Sequence, residues 1–224
     1  MKKYFALLSK STLFAGLSDE ELEKICDCLG TRVKKVSRES FVFHAGDSVH
    51  SVYLILSGSM HIIDEDFWGN RSIIETMPEH TLFGEAYALS KAKTHLVSVV
   101  AAEDSMFIEM DSVRLFETCP KGCTCHVKII KNTMLILSEK IVRLTEKLGH
   151  IVQRSTREKL LSYLSKCARE SQKNSFYIPY SRQQLADYLC VERSALSHTL
   201  SKLREEGMVQ YRKNYFELMG EIDQ

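Results

Sequence analysis

The chain has 224 residues, of which 44% are hydrophobic and 26% are charged, and its formal net charge is +1. This length suffices for one large domain or two small ones with a buried core, and the balanced charge excludes a global field directed at nucleic acid or a membrane surface. No apolar run approaches the roughly 18 residues that a membrane-spanning helix requires.

The seven cysteines are an odd number, and the apolar stretch near the N-terminus is short and interrupted by Lys10, unlike an export signal. An odd number of thiols without an export signal favours a reducing compartment. We therefore expect a soluble cytoplasmic protein without a membrane segment.

The N-terminal region predicts a helix followed by short strands. Ser18 and Glu21 have the spacing of a capping box ahead of an apolar helical stripe. From about residue 32 to residue 110, β-branched runs alternate with turns that contain Gly and Asp. The predicted strands are 40–44, 52–56, 60–63, 71–76, 96–101 and 105–110. Short strands separated by regular turn signals are typical of a β-sandwich or jelly roll.

The middle of the chain has the most regular apolar pattern. Apolar residues recur at alternating spacings of three and four, namely Val127, Ile130, Met134, Leu137, Ile141, Leu144, Leu148 and Ile151. A heptad pattern of this length favours a helix that pairs in parallel with its own copy, so we expect a homodimer through residues 127–151. The alternative is a long helix that packs on its own domain.

The C-terminal third is mildly basic, since residues 150–224 carry 12 Lys and Arg against 9 Asp and Glu. A helix is predicted over 156–169 and a short edge strand over 176–180. Ser181 caps a further helix, a tight turn follows, and another helix starts near Arg193. Leu196, Leu200 and Leu203 occupy the inner face of this last helix. A hairpin with Arg212 and Lys213 at its tip completes the pattern of a winged helix-turn-helix, which binds DNA.

Together these patterns resemble the CRP/FNR family of bacterial transcription regulators. The stretch FVFHAGDSVHSVYLILSGSMHI (41–62) is similar to the family's cyclic-nucleotide-binding jelly roll, and FGE (83–85) is similar to the start of its phosphate-binding cassette. The resemblance implies an α+β fold with an N-terminal double-stranded β-helix (jelly roll), a long dimerisation α-helix and a C-terminal winged helix-turn-helix. The corresponding segments are 1–122, 123–150 and 151–224.

The resemblance also implies partners and DNA-contacting residues. The partners are double-stranded DNA with a palindromic operator, a second copy of the chain, and RNA polymerase. The expected DNA contacts are Ser181, Arg182, Arg193, Ser194, Ser197, His198, Lys202 and Arg212. Relatives commonly carry Arg where His198 stands. Because a histidine cannot form two hydrogen bonds to one guanine as an arginine does, recognition at this position should be weaker or favour another base.

The predicted effector pocket comprises Gly84, Glu85, Ala86, His95, Leu96 and Ser138. When the cassette is counted without gaps from Gly84 to Ala101, the phosphate-gripping Arg of cyclic-AMP binders falls on His95, and the neighbouring hydroxyl position falls on Leu96. Without a guanidinium beside it, the negative charge of a buried phosphate is poorly compensated. We therefore expect an unknown small-molecule effector other than cyclic AMP, with a cyclic-nucleotide-responsive regulator as the alternative.

The cysteine-rich stretch before the long helix is a second candidate sensor. Cys119, Cys123, Cys125 and His126 are ligand types for zinc or an iron–sulfur cluster, and a cysteine pair there could respond to redox state. Their spacing differs from the usual C-x₂-C clamp, so thiols without a ligand remain the alternative.

No catalytic constellation is present, and we expect no enzymatic activity. The alternative to a DNA-binding regulator is a ligand-binding module whose C-terminal domain docks a partner.

Overall fold

The computed structural model describes residues 1–69, 71–90, 92–116 and 123–219. The chain divides into two compact units, Met1–Ser138 and Glu139–Gln224. In the first unit, short 3-10 turns (Lys2–Tyr4 and Thr12–Phe14) and the helices α1 (Phe5–Leu8) and α2 (Asp19–Cys28) precede a region of strands. The predicted capping box of α2 is confirmed, because the Ser18 hydroxyl accepts from the Glu21 amide and the Glu21 carboxylate accepts from the Ser18 amide.

The strands of the first unit form two antiparallel sheets. They are β1 (Arg32–Val36), β2 (Phe41–Phe43), β3 (Ser51–Ser57), β4 (Met60–Glu65), β5 (Arg71–Met77), β6 (Leu82–Phe83), β7 (Ser98–Ala101) and β8 (Ser105–Asp111). Helix α3 (Glu85–Leu89) lies between β6 and β7, and α4 (Ser112–Phe116) follows β8. The strand orders are β1-β8-β3-β6 and β2-β7-β4-β5, which form the predicted β-sandwich.

Strand β3 shows how the sandwich is built, because both of its faces are buried. Tyr53 and Ile55 belong to the core between the two sheets, whereas Val52, Leu54 and Leu56 pack in a second core with the N-terminal helices. This alternation follows from the two-residue period of a strand. The strand ends at Ser57, and the left-handed backbone of Gly58 (φ +82°) allows the tight turn into β4.

Helix α5 (Thr124–Ile151) covers the predicted periodic segment; it starts in the first unit and ends in the second. The second unit continues with α6 (Thr156–Ser171), β9 (Ser175–Tyr177), α7 (Arg182–Tyr188), α8 (Arg193–Glu205), β10 (Val209–Arg212) and β11 (Tyr215–Leu218). The sheet order is β10-β11-β9. The α+β fold class is confirmed, with a sandwich, a long helix and a helix-turn-helix followed by a β wing.

Strands β1 and β6 were not predicted. Three of the five residues of β1 are basic and none of the five is buried, and β6 has only two residues. Both are defined by their partners: β1 pairs along its whole length with β8, and β6 pairs with Tyr53 and Leu54 of β3. Such strands carry too little local pattern to be recognised without the sheet.

Candidate functional site

Helix α8 separates a buried apolar face from an exposed polar face. Leu196, Leu200 and Leu203 are fully or almost fully buried. The predicted base-reading side chains Arg193, Ser194, Ser197 and His198 are all exposed, and so is the further predicted DNA contact Lys202. The structure therefore brings these five residues together on one accessible helix face. Serine hydroxyls, an imidazole and cationic groups can donate hydrogen bonds to base edges and phosphates.

Helix α7 supports α8 through a short turn. Ala186 is completely buried and belongs to the same core as Leu196 and Leu200. The chain leaves α7 through Cys190, which has a left-handed backbone (φ +53°), and the Val191 amide donates to the Ala186 carbonyl at 3.0 Å. This tight turn fixes the angle between the two helices.

The start of α7 contains Ser181, whose side chain is already engaged. Its hydroxyl accepts from the Gln184 amide at 3.3 Å, and the Gln184 side chain accepts from the Ser181 amide at 2.8 Å. This capping box satisfies amides of the first helical turn. The Ser181 side chain therefore has a structural role in addition to its predicted contact with DNA.

Arg182 differs from the other predicted DNA contacts because it is partly buried and turned toward the wing. Its Nη2 donates to the Lys213 carbonyl at 3.1 Å. Its guanidinium carbon lies 5.0 Å from the Tyr211 ring centre and 5.1 Å from the Phe216 ring centre. Arg212, by contrast, is exposed beside the tip of the hairpin.

The outer surface of the wing carries an aromatic pair that the sequence analysis did not single out. Tyr177 of β9 lies directly opposite Tyr215 of β11, with ring centres 5.2 Å apart. Arg212 is the cross-strand neighbour of Tyr215 on β10, so a cation and two rings form a row across the sheet. The only local signal was an aromatic residue in each of two short strands, which a buried core would also require.

The predicted effector pocket divides into buried and exposed members. Glu85 and His95 are 2% and 1% exposed, whereas Leu96 is 72% exposed. Gly84 precedes α3 with φ +83°, and Ala86 is exposed.

Ser138 lies on an exposed part of α5, where its hydroxyl donates to the Met134 carbonyl at 2.8 Å. The structure therefore buries Glu85 and His95 but leaves Ala86 and Leu96 exposed, and it shows Ser138 engaged within its own helix.

His95 is held by aromatic rings on two sides. Its ring stacks on Phe43 with centres 3.8 Å apart, and Tyr87 of α3 meets it edge-on at 5.2 Å. Burial lowers the pKa of His95, and the charge of Asp47 opposes this shift. The imidazole is therefore neutral at pH 7, and a neutral ring cannot compensate a buried phosphate as a guanidinium would.

The interior of the sandwich beside His95 is rich in aromatic side chains. Tyr53 lies 5.0 Å from Phe83 and 5.9 Å from Phe107, and Phe43 lies 5.6 Å from Tyr53, measured between ring centres. Stacked and edge-on rings at these distances form an apolar environment.

The cysteine segment is only partly described, because Cys119 lies outside the described residues. Cys123 is partly exposed, and Cys125 is buried in the first turn of α5. Burial raises the pKa of the Cys125 thiol, and a hydrogen bond with Cys123 acts in the same direction. His126 is buried, and its Nε2 lies 2.9 Å from the Arg114 carbonyl. In the part of the chain that the structure describes, no three His, Cys, Asp or Glu side chains are placed to hold a metal ion.

The outward face of α5 exposes most of the predicted heptad stripe. Its members Val127, Met134, Ile141, Leu144 and Leu148 are 54–69% exposed. The opposite face packs on the first unit through Cys125, Ile129 and Thr133, which are nearly fully buried. Helix α5 therefore packs on its own domain mainly through other residues. It leaves these five heptad residues exposed, whereas the remaining three, Ile130, Leu137 and Ile151, are partly buried.

Known proteins share both parts of this architecture. Residues 33–121 match the model of the cyclic nucleotide-binding domain, and residues 158–219 match the model of the Crp-like helix-turn-helix domain. The regulatory protein HlyX of Actinobacillus pleuropneumoniae is 24% identical over 213 residues, which cover 93% of this chain and 86% of that protein.

Solved structures have the same fold. The c-di-GMP responsive global regulator CLP of Xanthomonas campestris aligns with a TM-score of 0.60 and 19% identity, covering 91% of this chain and all of that one. The catabolite activator protein of Thermus thermophilus aligns with a TM-score of 0.54 and 22% identity, covering 93% of this chain and 94% of that one.

Among the described residues, no helix is both long and apolar enough to cross a membrane.

Proposed function

The chain belongs to the CRP/FNR family of DNA-binding transcription regulators, and we propose that it acts as a cytoplasmic homodimer that couples an internal signal to operator binding. In this proposal residues 1–122 receive the signal, residues 123–150 pair the two copies, and residues 151–224 bind DNA. The family consists of regulators rather than enzymes, and we assign no catalytic activity to the chain.

The exposed face of α8 carries the DNA-binding part of the proposal. Arg193 begins the helix, and Ser194, Ser197 and His198 follow on the same accessible face, above leucines that fix the helix to the domain. A helix presented in this way fits the major groove with its N-terminal residues toward the bases. Lys202 and the wing residue Arg212 supply cations for the phosphates on either side.

The exposed heptad stripe supports a homodimer. Two copies paired along α5 would present two α8 helices to a palindromic operator, whose half-sites lie about 34 Å apart. A signal that alters the packing of the paired helices would change this spacing and with it the affinity for DNA. RNA polymerase is the expected protein partner of a regulator bound in this way.

The environment of His95 supports an effector other than cyclic AMP. A neutral imidazole stacked on Phe43 stands at the position that the family resemblance assigns to the phosphate-gripping arginine. An apolar or aromatic small molecule suits the surrounding rings better than a cyclic phosphate does. A redox or metal signal at Cys123 and Cys125 is the second candidate input, supported by the position of this thiol pair at the start of α5.

The DNA-binding part is tested by replacing Arg193 with alanine. Duplexes selected from a random library with the unmodified protein serve as probes in a mobility-shift assay. Arg193→Ala should abolish specific binding, because it removes the first cation of the recognition helix from an exposed position where the fold does not depend on it. Arg169→Ala, which removes an exposed arginine from α6, is the control with the same change in charge.

Salt dependence distinguishes a DNA-binding regulator from a protein-docking module. The logarithm of the affinity should fall linearly with the logarithm of the salt concentration, by about 0.9 for each phosphate contact. Absent or salt-insensitive binding by the unmodified protein would favour the docking module.

Native mass spectrometry of the purified protein, with and without added cyclic AMP, tests the effector. A mass increase equal to cyclic AMP at micromolar concentration would contradict the assignment of another ligand.

A further inference from the structure

The wing is connected to both helices of the helix-turn-helix through Tyr211. The guanidinium of Arg182, from the first turn of α7, lies 5.0 Å from the Tyr211 ring centre, and that of Arg204, from the last turn of α8, lies 5.3 Å from it. Tyr211 also stacks on the buried Phe216 at 6.0 Å. One aromatic side chain of the wing therefore contacts a cation from each helix.

The tip of the wing is held from outside the hairpin at two consecutive residues. The Arg182 Nη2 donates to the Lys213 carbonyl at 3.1 Å, and the Ile178 amide donates to the Asn214 carbonyl at 2.9 Å. Lys213 has a left-handed backbone (φ +55°), which costs a non-glycine residue free energy unless its surroundings hold it. The hydrogen bond from Arg182 reaches the very residue that has this unfavourable conformation.

Arginine suits this position for reasons other than charge. Its planar guanidinium can stack on rings and donate to a carbonyl in a fixed direction, whereas the ammonium of lysine is a flexible point charge. Arg182 stacks on two rings and donates to one carbonyl, so its orientation is set by the wing. A phosphate ligand on a solvent-facing helix end would not require these contacts.

We propose that Arg182 is a positioning residue that fixes the tip of the wing relative to α8, and that it acts on DNA through the wing instead of as a phosphate ligand. The proposal rests on the DNA-binding function proposed above and replaces the direct contact that the sequence predicts for Arg182. Its consequence is that the shape of the side chain at position 182, and not its charge, determines the affinity for DNA.

The test compares Arg182→Lys, which keeps the charge, with Arg182→Gln, which removes it. Both should weaken DNA binding by a similar factor, on the order of tenfold, because each loses the stacking and the directed hydrogen bond. Both should also change the salt slope equally. If Arg182 binds a phosphate, Arg182→Lys will bind like the unmodified protein and only Arg182→Gln will lose about 0.9 from the slope; that result would overturn the proposal.

A double-mutant cycle with Arg212→Gln adds a second criterion. If Arg182 acts by placing the wing, the loss caused by Arg212→Gln should largely disappear in the Arg182→Lys background, whereas independent phosphate contacts would be additive. Tyr211→Leu, which removes the ring that both guanidiniums approach and leaves the charge of Arg182 in place, should reproduce the effect of Arg182→Lys. Unchanged affinity of Tyr211→Leu would contradict the proposal.

Hydrogen exchange separates this proposal from the DNA-binding function on which it rests. In protein without DNA, Arg182→Lys should accelerate amide exchange in residues 209–218 and leave exchange in α6 unchanged. If the unmodified protein fails to bind DNA but the wing of Arg182→Lys exchanges faster, the proposed function fails while the link between Arg182 and the wing stands. Unchanged exchange in the wing would refute that link.

Discussion

Replacing Ile141 by alanine should weaken self-association of the chain by about tenfold to a hundredfold. Ile141 lies in the middle of the heptad stripe on α5 and is 62% exposed, although isoleucine is among the residues most often found buried. If two copies pair along this stripe, the exposed part of the side chain becomes buried against the partner. Alanine has a higher helix propensity than isoleucine, so the helix itself should not be weakened.

The magnitude follows from the area that pairing would remove from water. Complete burial of an isoleucine side chain contributes about 1.5–3 kcal/mol. With 62% of Ile141 exposed before pairing and one of its four side-chain carbons kept by alanine, the loss is about 0.7–1.4 kcal/mol per copy. A twofold dimer contains the residue twice, which gives about 1.4–2.8 kcal/mol, and each 1.4 kcal/mol is a factor of ten in the dissociation constant.

Sedimentation equilibrium over nanomolar to micromolar protein concentrations measures this constant. Glu139→Ala is the matched control, because Glu139 is exposed on the same helix but lies outside the heptad stripe. Far-UV circular dichroism verifies that the helical content of both variants is unchanged. Equal dissociation constants for Ile141→Ala and Glu139→Ala would refute the assignment of the stripe as the dimer interface and leave the exposed apolar residues without an explanation.

Two further predictions concern stability. Burial, reinforced by the charge of Lys166, lowers the pKa of His150, so the unfolded chain binds the proton more readily and the second unit should lose stability as the pH falls from about 6.5 through the lower folded pKa. Replacing His150 by glutamine should flatten the thermal melting profile between pH 7 and pH 5, and an unchanged slope would contradict this reasoning. A Cβ on Gly58 would lie 2.9 Å from the Ser105 Cβ and 3.0 Å from the Asp104 carbonyl, at φ +82°. Gly58→Ala should therefore lower the free energy of unfolding by about 2 kcal/mol or more. Gly46→Ala, with φ +92° but nothing within 4 Å of its Cβ, should cost less in the same chemical denaturation experiment.

Local patterns in the sequence determined the elements whose stability depends on near neighbours in the chain. The capping residues Ser18 and Ser181 bond to amides three residues away, so the start of each helix could be predicted from a short window. The leucines of α8 are spaced by three and four residues, and this spacing alone fixed which face would be exposed. The polar members of the candidate DNA surface, from Arg193 to Lys202, followed from the same count.

The tertiary structure decided the direction of side chains whose partners are distant in sequence. Nothing near position 182 indicates that its guanidinium would turn to a carbonyl 31 residues later. His95 and Leu96 are neighbours in the chain, yet one stacks against Phe43 in the core and the other is exposed.

The same distinction explains the strands that were missed. β1 consists largely of basic residues and forms because β8 supplies hydrogen-bond partners along its length. The continuous apolar run of β3, by contrast, predicts a buried strand from the sequence alone. Helix caps and amphipathic faces arise from interactions within a few residues, so the sequence alone determines them. Pairing of weak strands, the stacking of His95 and the placement of Arg182 depend on free energy gained between remote segments, and this becomes visible only when the chain is folded.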